Sequence, residues 1–465
     1  MLPRPRKTWV APEGVVVSSQ PLGWSYRQPK TEPVILTDVG IDLLTHDNEN
    51  VVLQVQETYR IQRPGTRILA LDLLSFFQKP NLNAPDLRPL KLTSVKDDAG
   101  KALPFSHLNH RLLVELPAAL PAGSMVKLAF AIEGDFLIHP RGDNSWKLGT
   151  SAWFPQSGLG GDLYTVRCRM KVKKPFLPIA SGENCVRRVE GDYNLLETSF
   201  DRSICFFVAL AGSYALTEET RDGITLRVAS YDTAGSSVPR ILGLARTAIQ
   251  FYQSFLGPFP FKEYTIVQVN SYGYGQAPPH LMFLTNEAFD IEHSLLRDWS
   301  SQDLNRRFLH EIAHAYWGNA VHFPSETEQW LSEGFAEICA GLFMNASRGE
   351  GAYATMVARW KSDGEESSRL SSIPMANRLY DKDFLVSWRT RQNLLYDKSA
   401  ALLSTIREQI GDPQFRLFLR AYQRNFAWKQ GSTHHVVGML RFLTKRDFAP
   451  LFDACFWGEA LPGKN

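Results

Sequence analysis

The chain has 465 residues, 44% hydrophobic and 21% charged, a balance that excludes wholesale disorder at a length suited to two or three domains. Its 51 Lys and Arg against 48 Asp and Glu leave a net charge of +3, too small at this length to imply a nucleic-acid partner. Five scattered cysteines (Cys168, Cys185, Cys205, Cys339, Cys455) include no C-x-x-C pair, which excludes a zinc ribbon or redox motif and favours free thiols in a reducing compartment.

Residues 1–32 are rich in proline and polar groups and carry no sustained period, so they are expected to form an irregular N-terminal arm. The basic start lacks the apolar run of a secretory signal, and the longest apolar run, Ile204 to Ala211, is far too short to cross a bilayer. A soluble, cytoplasmic chain with no transmembrane segment is expected. From Val34 the pattern becomes strand-like. Leu53, Val55, Tyr59 and Ile61 alternate with Gln54, Gln56, Thr58 and Arg60, as in a half-buried strand. Lys96 to Gly100 reads as a turn. Further strands are expected at Leu112–Leu116, Val126–Glu133, Tyr164–Val172 and Leu195–Phe200. No helical period interrupts them, so residues 33–214 read as an antiparallel β domain.

Thr217-Glu-Glu-Thr-Arg-Asp-Gly223 reads as a polar turn at the boundary with a second domain, residues 215–465. There a strand (Ile224–Ala229) is followed by a helix over 239–255, with Leu242, Ala245, Ala248, Ile249 and Tyr252 as its apolar stripe, and then by a strand over Tyr264–Val269. After these comes His310-Glu-Ile-Ala-His314, then eighteen residues, then Glu333 within Trp330-Leu-Ser-Glu-Gly-Phe-Ala336. Two histidines four apart on a helix share one face, so both imidazoles can reach one metal ion. A glutamate from a second helix completes three protein ligands and leaves a position open, which is the pattern of a catalytic zinc site. A surface helix can carry two histidines at this spacing. Here Phe308, Leu309, Ile312, Ala313 and Tyr316 make the surroundings apolar, where idle histidines and glutamates would be costly.

These motifs resemble the gluzincin metallopeptidases of the membrane alanyl aminopeptidase family. The family reads H-E-[LI]-[AS]-H-x-[WF]-[FW]-G-N-x-V and W-L-N-E-G-F-A, with Ser332 here in place of the asparagine. The resemblance implies an α+β protein: an N-terminal antiparallel β domain followed by a thermolysin-like, mainly α-helical catalytic domain. Ala152-Trp-Phe-Pro155 and Ile179-Ala-Ser-Gly182 resemble degenerate forms of two landmarks of the β domain. The resemblance implies a short form, without the C-terminal helical domains of longer members. Tyr396-Asp-Lys-Ser-Ala400 resembles the family's Y-x-K-G-A, whose tyrosine stabilises the oxyanion; a buried tyrosine opening a helix is the plainer reading of the same residue.

The implied chemistry is peptide-bond hydrolysis by a metal-activated water. One Zn2+ per chain would be held by His310, His314 and Glu333, with Glu311 as proton carrier and Tyr396 as oxyanion donor. Asn319 and Glu337 are candidates to support the ligands from behind. One motif departs from the pattern. Where the family has Gly-Ala-Met-Glu-Asn, whose glutamate binds the substrate amine, this chain has Gly275-Gln276-Ala277-Pro278-Pro279 followed by His280. Proline has neither charge nor N–H, so Pro278 cannot pair with an ammonium group. Gly275, Gln276, Ala277, Pro278 and His280 are nonetheless the expected substrate-facing segment. Another carboxylate such as Glu287 could take the amine. The alternatives are an endopeptidase or other hydrolase in the same site, or a zinc-containing peptide-binding module without turnover. The expected partner is a peptide or protein substrate. His434-His435 reads as structural or exposed.

Overall fold

The computed structural model describes residues 34–79, 86–139, 144–149, 151–157, 162–231, 237–271, 273, 275–289, 306–378 and 384–460, with backbone also at 9–10 and 16–17. The irregular arm expected over 1–32 therefore lies outside the described residues, apart from a short strand pair, Trp9–Val10 with Val16–Val17. Two compact units divide the chain. One contains Glu32–Leu242 and Phe261–Ser294; the other contains Met1–Thr31, Gly243–Pro260 and Leu295–Asn465.

The first unit is built of β-sheet. Its largest sheet has eight strands in the order Glu183–Glu190, Tyr193–Ile204, Tyr164–Lys173, Val34–Thr45, Val51–Ile61, Met125–Gly134, Asp86–Asp97, Phe76–Lys79. Alternation sets the register: Val51, Leu53, Val55, Tyr59 and Ile61 all turn inward from one strand, and Gln54, Gln56 and Arg60 turn out. The sheet is not wholly antiparallel, because Tyr164–Lys173 runs parallel to Val34–Thr45. The buried tryptophan of Ala152-Trp-Phe-Pro155 is fully enclosed, and Ile179 packs in a core cluster with Val208, Leu210, Val267 and Phe283.

That cluster carries the unit past residue 214. A five-stranded sheet, ordered Ala215–Arg221, Ile224–Ser230, Glu263–Val269, Leu281–Thr285, Gly275–Gln276, packs with the β-rich unit. The polar turn expected over 217–223 is instead an edge strand. Thr217 to Arg221 pair antiparallel with the next strand, and only Asp222 and Gly223 turn, both at positive φ. Polar residues suit an exposed edge as well as a loop, since they discourage pairing with other chains.

The second unit is helical. It takes Gly243 onward of α1 (Ser237–Leu256), then α2 (306–313), α3 (Trp330–Arg348), α4 (Glu350–Ser368), α5 (Phe384–Gln392), α6 (Ser399–Ile410), α7 (Asp412–Phe426) and α8 (Thr433–Thr444). Every residue of α3 from Trp330 to Met344 is buried, as befits a helix packed on all sides. Gly334 and Gly341 make the packing possible: an added Cβ would lie 2.5 Å from Ser399 Cβ and 2.6 Å from the Trp360 ring, respectively. His434 and His435 are exposed at the start of α8. Among the described residues no helix is long and apolar enough to cross a membrane, and all five cysteines are free.

Candidate metal centre

Helix α2 and its last turn deliver His310, Glu311 and His314, and α3 delivers Glu333. Gly318, at φ +95°, turns the chain after α2 and leaves room for Ser332 of α3 to approach its backbone. The result brings three ligand atoms together. His310 Nε2 and His314 Nε2 are 3.0 Å apart, and Glu333 Oε2 lies 3.4 Å from the first and 3.3 Å from the second. Donors around a tetrahedral ion at about 2.0–2.1 Å stand about 3.3 Å from one another, so the triangle has the size that zinc requires. Glu333 Oε2 is also a buried oxygen that receives no hydrogen bond, the condition of a donor awaiting a cation. His310, His314 and Glu333 are the one such group among the described residues.

The far sides of the ligands are fixed. His310 Nδ1 is 3.0 Å from Glu337 Oε2, and His314 Nδ1 is 3.0 Å from the Trp317 carbonyl and 3.1 Å from Ser332 Oγ. With Nδ1–H donated to these oxygens, both Nε2 lone pairs point into the triangle. Glu337 is held in turn by Arg306 Nη1 at 2.5 Å, Trp360 Nε1 at 2.9 Å and Arg359 Nη2 at 3.3 Å. Asn319, the other expected supporting residue, is buried, and its backbone N–H donates to the His314 carbonyl at 3.3 Å.

Electrostatics mark the centre as short of positive charge. Burial pulls His310 down, but the neighbouring Glu333 and Glu337 carboxylates outweigh it and lift the imidazole to about 10. Burial likewise works against the charge on Glu333, yet the two histidines hold it well below the usual carboxylate range. Glu337 is pushed up by burial and held down by Arg306, His310 and Arg359, with the second effect the larger. Glu311 is raised, chiefly by burial, with the histidines opposing. A bound dication would satisfy a cluster that otherwise has to borrow protons.

Tyr396 completes the group. Its ring stacks on His310, with centroids 5.2 Å apart at 13°. It belongs to a π-helical stretch, Asn393–Lys398, that leads into α6, a distortion common at functional sites. Burial, Glu333 and Glu311 push its hydroxyl well above the ordinary tyrosine range, so it stays a neutral donor.

The segment expected to face substrate belongs to the β-rich unit. Gly275 and Gln276 form a short strand against Leu284 and Phe283, while Ala277, Pro278 and Pro279 are buried. The expectation for His280 is corrected. It is 1% exposed, at φ +67°, and its ring lies 4.2 Å from Phe200 and 4.3 Å from Phe261. Nδ1 accepts the Gly182 N–H at 3.1 Å, and burial drives the ring down to about 3. It is a neutral core residue and presents nothing to a substrate. Glu287, considered as an alternative amine anchor, uses Oε1 to accept the Gly273 N–H at 2.8 Å and the Thr285 hydroxyl at 2.6 Å.

Sequence reasoning passed over Arg306, Arg359 and Trp360, which surround Glu337, and Gln329, whose Nε2 is 3.1 Å from Glu333 Oε1. Only Gln329 left a signal, as a polar residue one helical turn before the ligand.

Comparison with known proteins bears on the same residues. Residues 242–454 match the Peptidase family M1 domain. Human aminopeptidase O is 36% identical over 111 residues, which make up 23% of this chain and 13% of that protein. Human endoplasmic reticulum aminopeptidase 1 is 21% identical over 258 residues, 52% of this chain and 27% of that protein. The chain thus matches roughly an eighth to a quarter of the length of these relatives. Among solved structures, an M1 zinc metallopeptidase from Deinococcus radiodurans gives a TM-score of 0.73 at 18% identity, over 96% of this chain and 97% of that one. A mutant of it bound to a Tyr-Ser-Ala substrate gives 0.72 at 18% identity, over 92% and 96%. At that identity the likeness is one of fold.

Proposed function

Residues 242–454 match the Peptidase family M1 domain, and from that premise we propose that the chain is an aminopeptidase-like zinc metallopeptidase that hydrolyses peptide bonds without the amine-binding Gly-Ala-Met-Glu-Asn motif. The observation that carries this reading is the triangle of His310 Nε2, His314 Nε2 and Glu333 Oε2, with Tyr396 stacked on His310 and Glu311 electrostatically coupled to all three ligands. When bound there, zinc supplies a Lewis acid that brings the pKa of a water toward about 7 and polarises the scissile carbonyl. Glu311, next to the first ligand in the chain and electrostatically coupled to both histidines, takes the proton of the attacking water and passes it to the departing amine. Its raised proton affinity suits a carrier that must accept and release within one cycle. Tyr396 donates its hydroxyl hydrogen to the oxyanion as the carbonyl becomes tetrahedral. Glu337 and the Trp317 carbonyl keep both imidazoles in the metal-binding tautomer throughout.

Two features bear on substrate. Pro278 offers no charge, His280 is sealed in the core, and Oε1 of Glu287 is engaged with Gly273 and Thr285. These observations favour an enzyme that does not depend on a free α-amine, so internal cleavage is the second reading. A reducing, cytoplasmic setting is part of the proposal, on the strength of five free cysteines. The discriminating experiment offers one peptide with a free and with an acetylated N-terminus and reads the products by mass. Loss of single residues from the free form alone means an aminopeptidase with an amine anchor elsewhere. Internal cuts in both forms mean an endopeptidase. Two intact peptides, with stoichiometric zinc on the protein, would overturn hydrolysis in favour of a peptide-binding module.

A further inference from the structure

Glu333 presents Oε2 to the two histidines, and its second oxygen is occupied from another direction. Gln329, at the N-cap of α3, places Nε2 3.1 Å from Glu333 Oε1. The Gln329 Oε1 accepts from Asn377 Nδ2 at 2.8 Å, and the same Nδ2 donates to the Glu326 carbonyl at 2.7 Å. Asn377 Oδ1 accepts from Arg391 Nε at 2.5 Å. Asn377 lies on a short helical turn, Ile373–Arg378, and Arg391 near the end of α5. All four residues belong to the helical unit.

The two ends give this chain one direction. A guanidinium can only donate, and an ionised carboxylate can only accept. Each amide between them therefore has a single orientation that satisfies both neighbours: carbonyl toward Arg391, amino group toward Glu333. Hydrogen bonds in such a series polarise one another, so the Arg391 charge strengthens the last donor, Gln329 Nε2.

We infer that Gln329, Asn377 and Arg391 form a positioning relay that withholds Oε1 of Glu333 and leaves Oε2 alone for the metal. The inference rests on the metal-site reading given above. A carboxylate free to bind through both oxygens would take a second position on the ion, and a catalytic site needs that position for water and substrate. The relay thus protects the open position as well as the orientation of the ligand. Its members act through Glu333, although Arg391 is also close enough to Tyr396 to oppose the rise of that hydroxyl. They are positioning residues.

The test measures zinc affinity by chelator competition and the visible absorption of the cobalt(II)-substituted protein. It compares the unaltered chain, Gln329→Leu, Arg391→Leu and the double variant. Gln329→Leu is expected to weaken zinc by about tenfold or more, the usual scale for loss of an outer partner. Its cobalt bands should change as the carboxylate loses its fixed orientation. Arg391→Leu should shift both readouts the same way by less. The double variant should be no worse than Gln329→Leu, because a relay can be cut only once. Unchanged affinity and spectrum in Gln329→Leu, or single losses that multiply in the double variant, would overturn the relay. Should Gln329→Leu fail to fold, Arg391→Leu decides alone, since Arg391 is half-buried and its loss must still weaken the metal. If the unaltered chain itself binds no zinc, the metal-site reading falls first; if it binds tightly and the variants do too, only the relay falls.

Discussion

Two buried histidines, one in each unit, meet opposite fates. His280 sits between Phe200 and Phe261 with a backbone N–H on its one acceptor, and burial takes it down to about 3. His310 is also buried, yet Glu333 and Glu337 lift it to about 10. Burial strips His280 of charge even with Glu183 Oε1 3.9 Å from its Nε2, whereas two carboxylates in close contact with His310 make the whole cluster seek a cation. A histidine in an apolar segment is thus informative only with its neighbours. Changes around His310 should remove chemistry and spare the fold. Changes at His280 should remove stability and spare the chemistry.

The largest effect belongs to Glu311. Glu311→Gln keeps the shape and the metal ligands but removes the proton acceptor, so peptide hydrolysis should fall by about 10²–10⁴ with zinc content unchanged. Turnover together with metal analysis checks both halves. Retained activity would break the proposed mechanism. Tyr396→Phe comes next. The lost oxyanion donor should raise the barrier by about 2.7–4 kcal/mol, seen mainly in kcat. An effect confined to KM would make Tyr396 a binding residue and leave the oxyanion without its protein donor.

Much of this centre was legible in the sequence, because metal ligation and helix geometry impose short, fixed spacings. His310, Glu311, His314 and Glu333 lie on two helices whose periodicity was plain, and Glu337 follows its neighbour by one turn. The same spacing made Gln329 available to notice. Asn377 and Arg391 left no comparable sign, since each reaches the site through a side-chain hydrogen bond from a separate helical element. His280 was hidden for a related reason. Its surroundings come from Gly182, Phe200 and Phe261, and local sequence beside a strand cannot tell an edge from a core. The polar run 217–221 misled in the opposite sense, because an exposed edge strand and a loop have similar compositions.

A smaller effect is expected at His280 itself. His280→Leu removes the acceptor for the Gly182 N–H and puts a branched side chain at φ +67°. A loss of about 1–3 kcal/mol in urea unfolding should follow, with unchanged zinc affinity. His280→Asn, which tolerates that backbone region and keeps an acceptor, should recover part of the loss. A drop in zinc affinity in either variant would break the separation between the two histidines.

The sharpest contrast is in pH. Between about 3 and 6.5 the folded His280 is neutral while the unfolded one binds a proton, so its contribution is complete above 6.5 and is lost as pH falls. The helical unit holds the counterpart. Glu328 is fully buried, its Oε2 accepting the backbone N–H of Thr433 at 2.9 Å and the Thr433 hydroxyl at 2.5 Å, and burial raises it to about 7. Between 4.5 and 7 the folded Glu328 binds the extra proton, so its contribution is complete below 4.5 and is lost as pH rises. Each group changes stability by up to about 1.4 kcal/mol per pH unit within its window. Measured against the unaltered chain at the same pH, which cancels the common dependence of metal binding, His280→Asn should gain relative stability on acidification below 6.5. Glu328→Gln should gain it on raising the pH from 4.5 to 7. Slopes of the same sign would mean that one of these two side chains is not held in the charge state its surroundings dictate, and the flat variant would identify which.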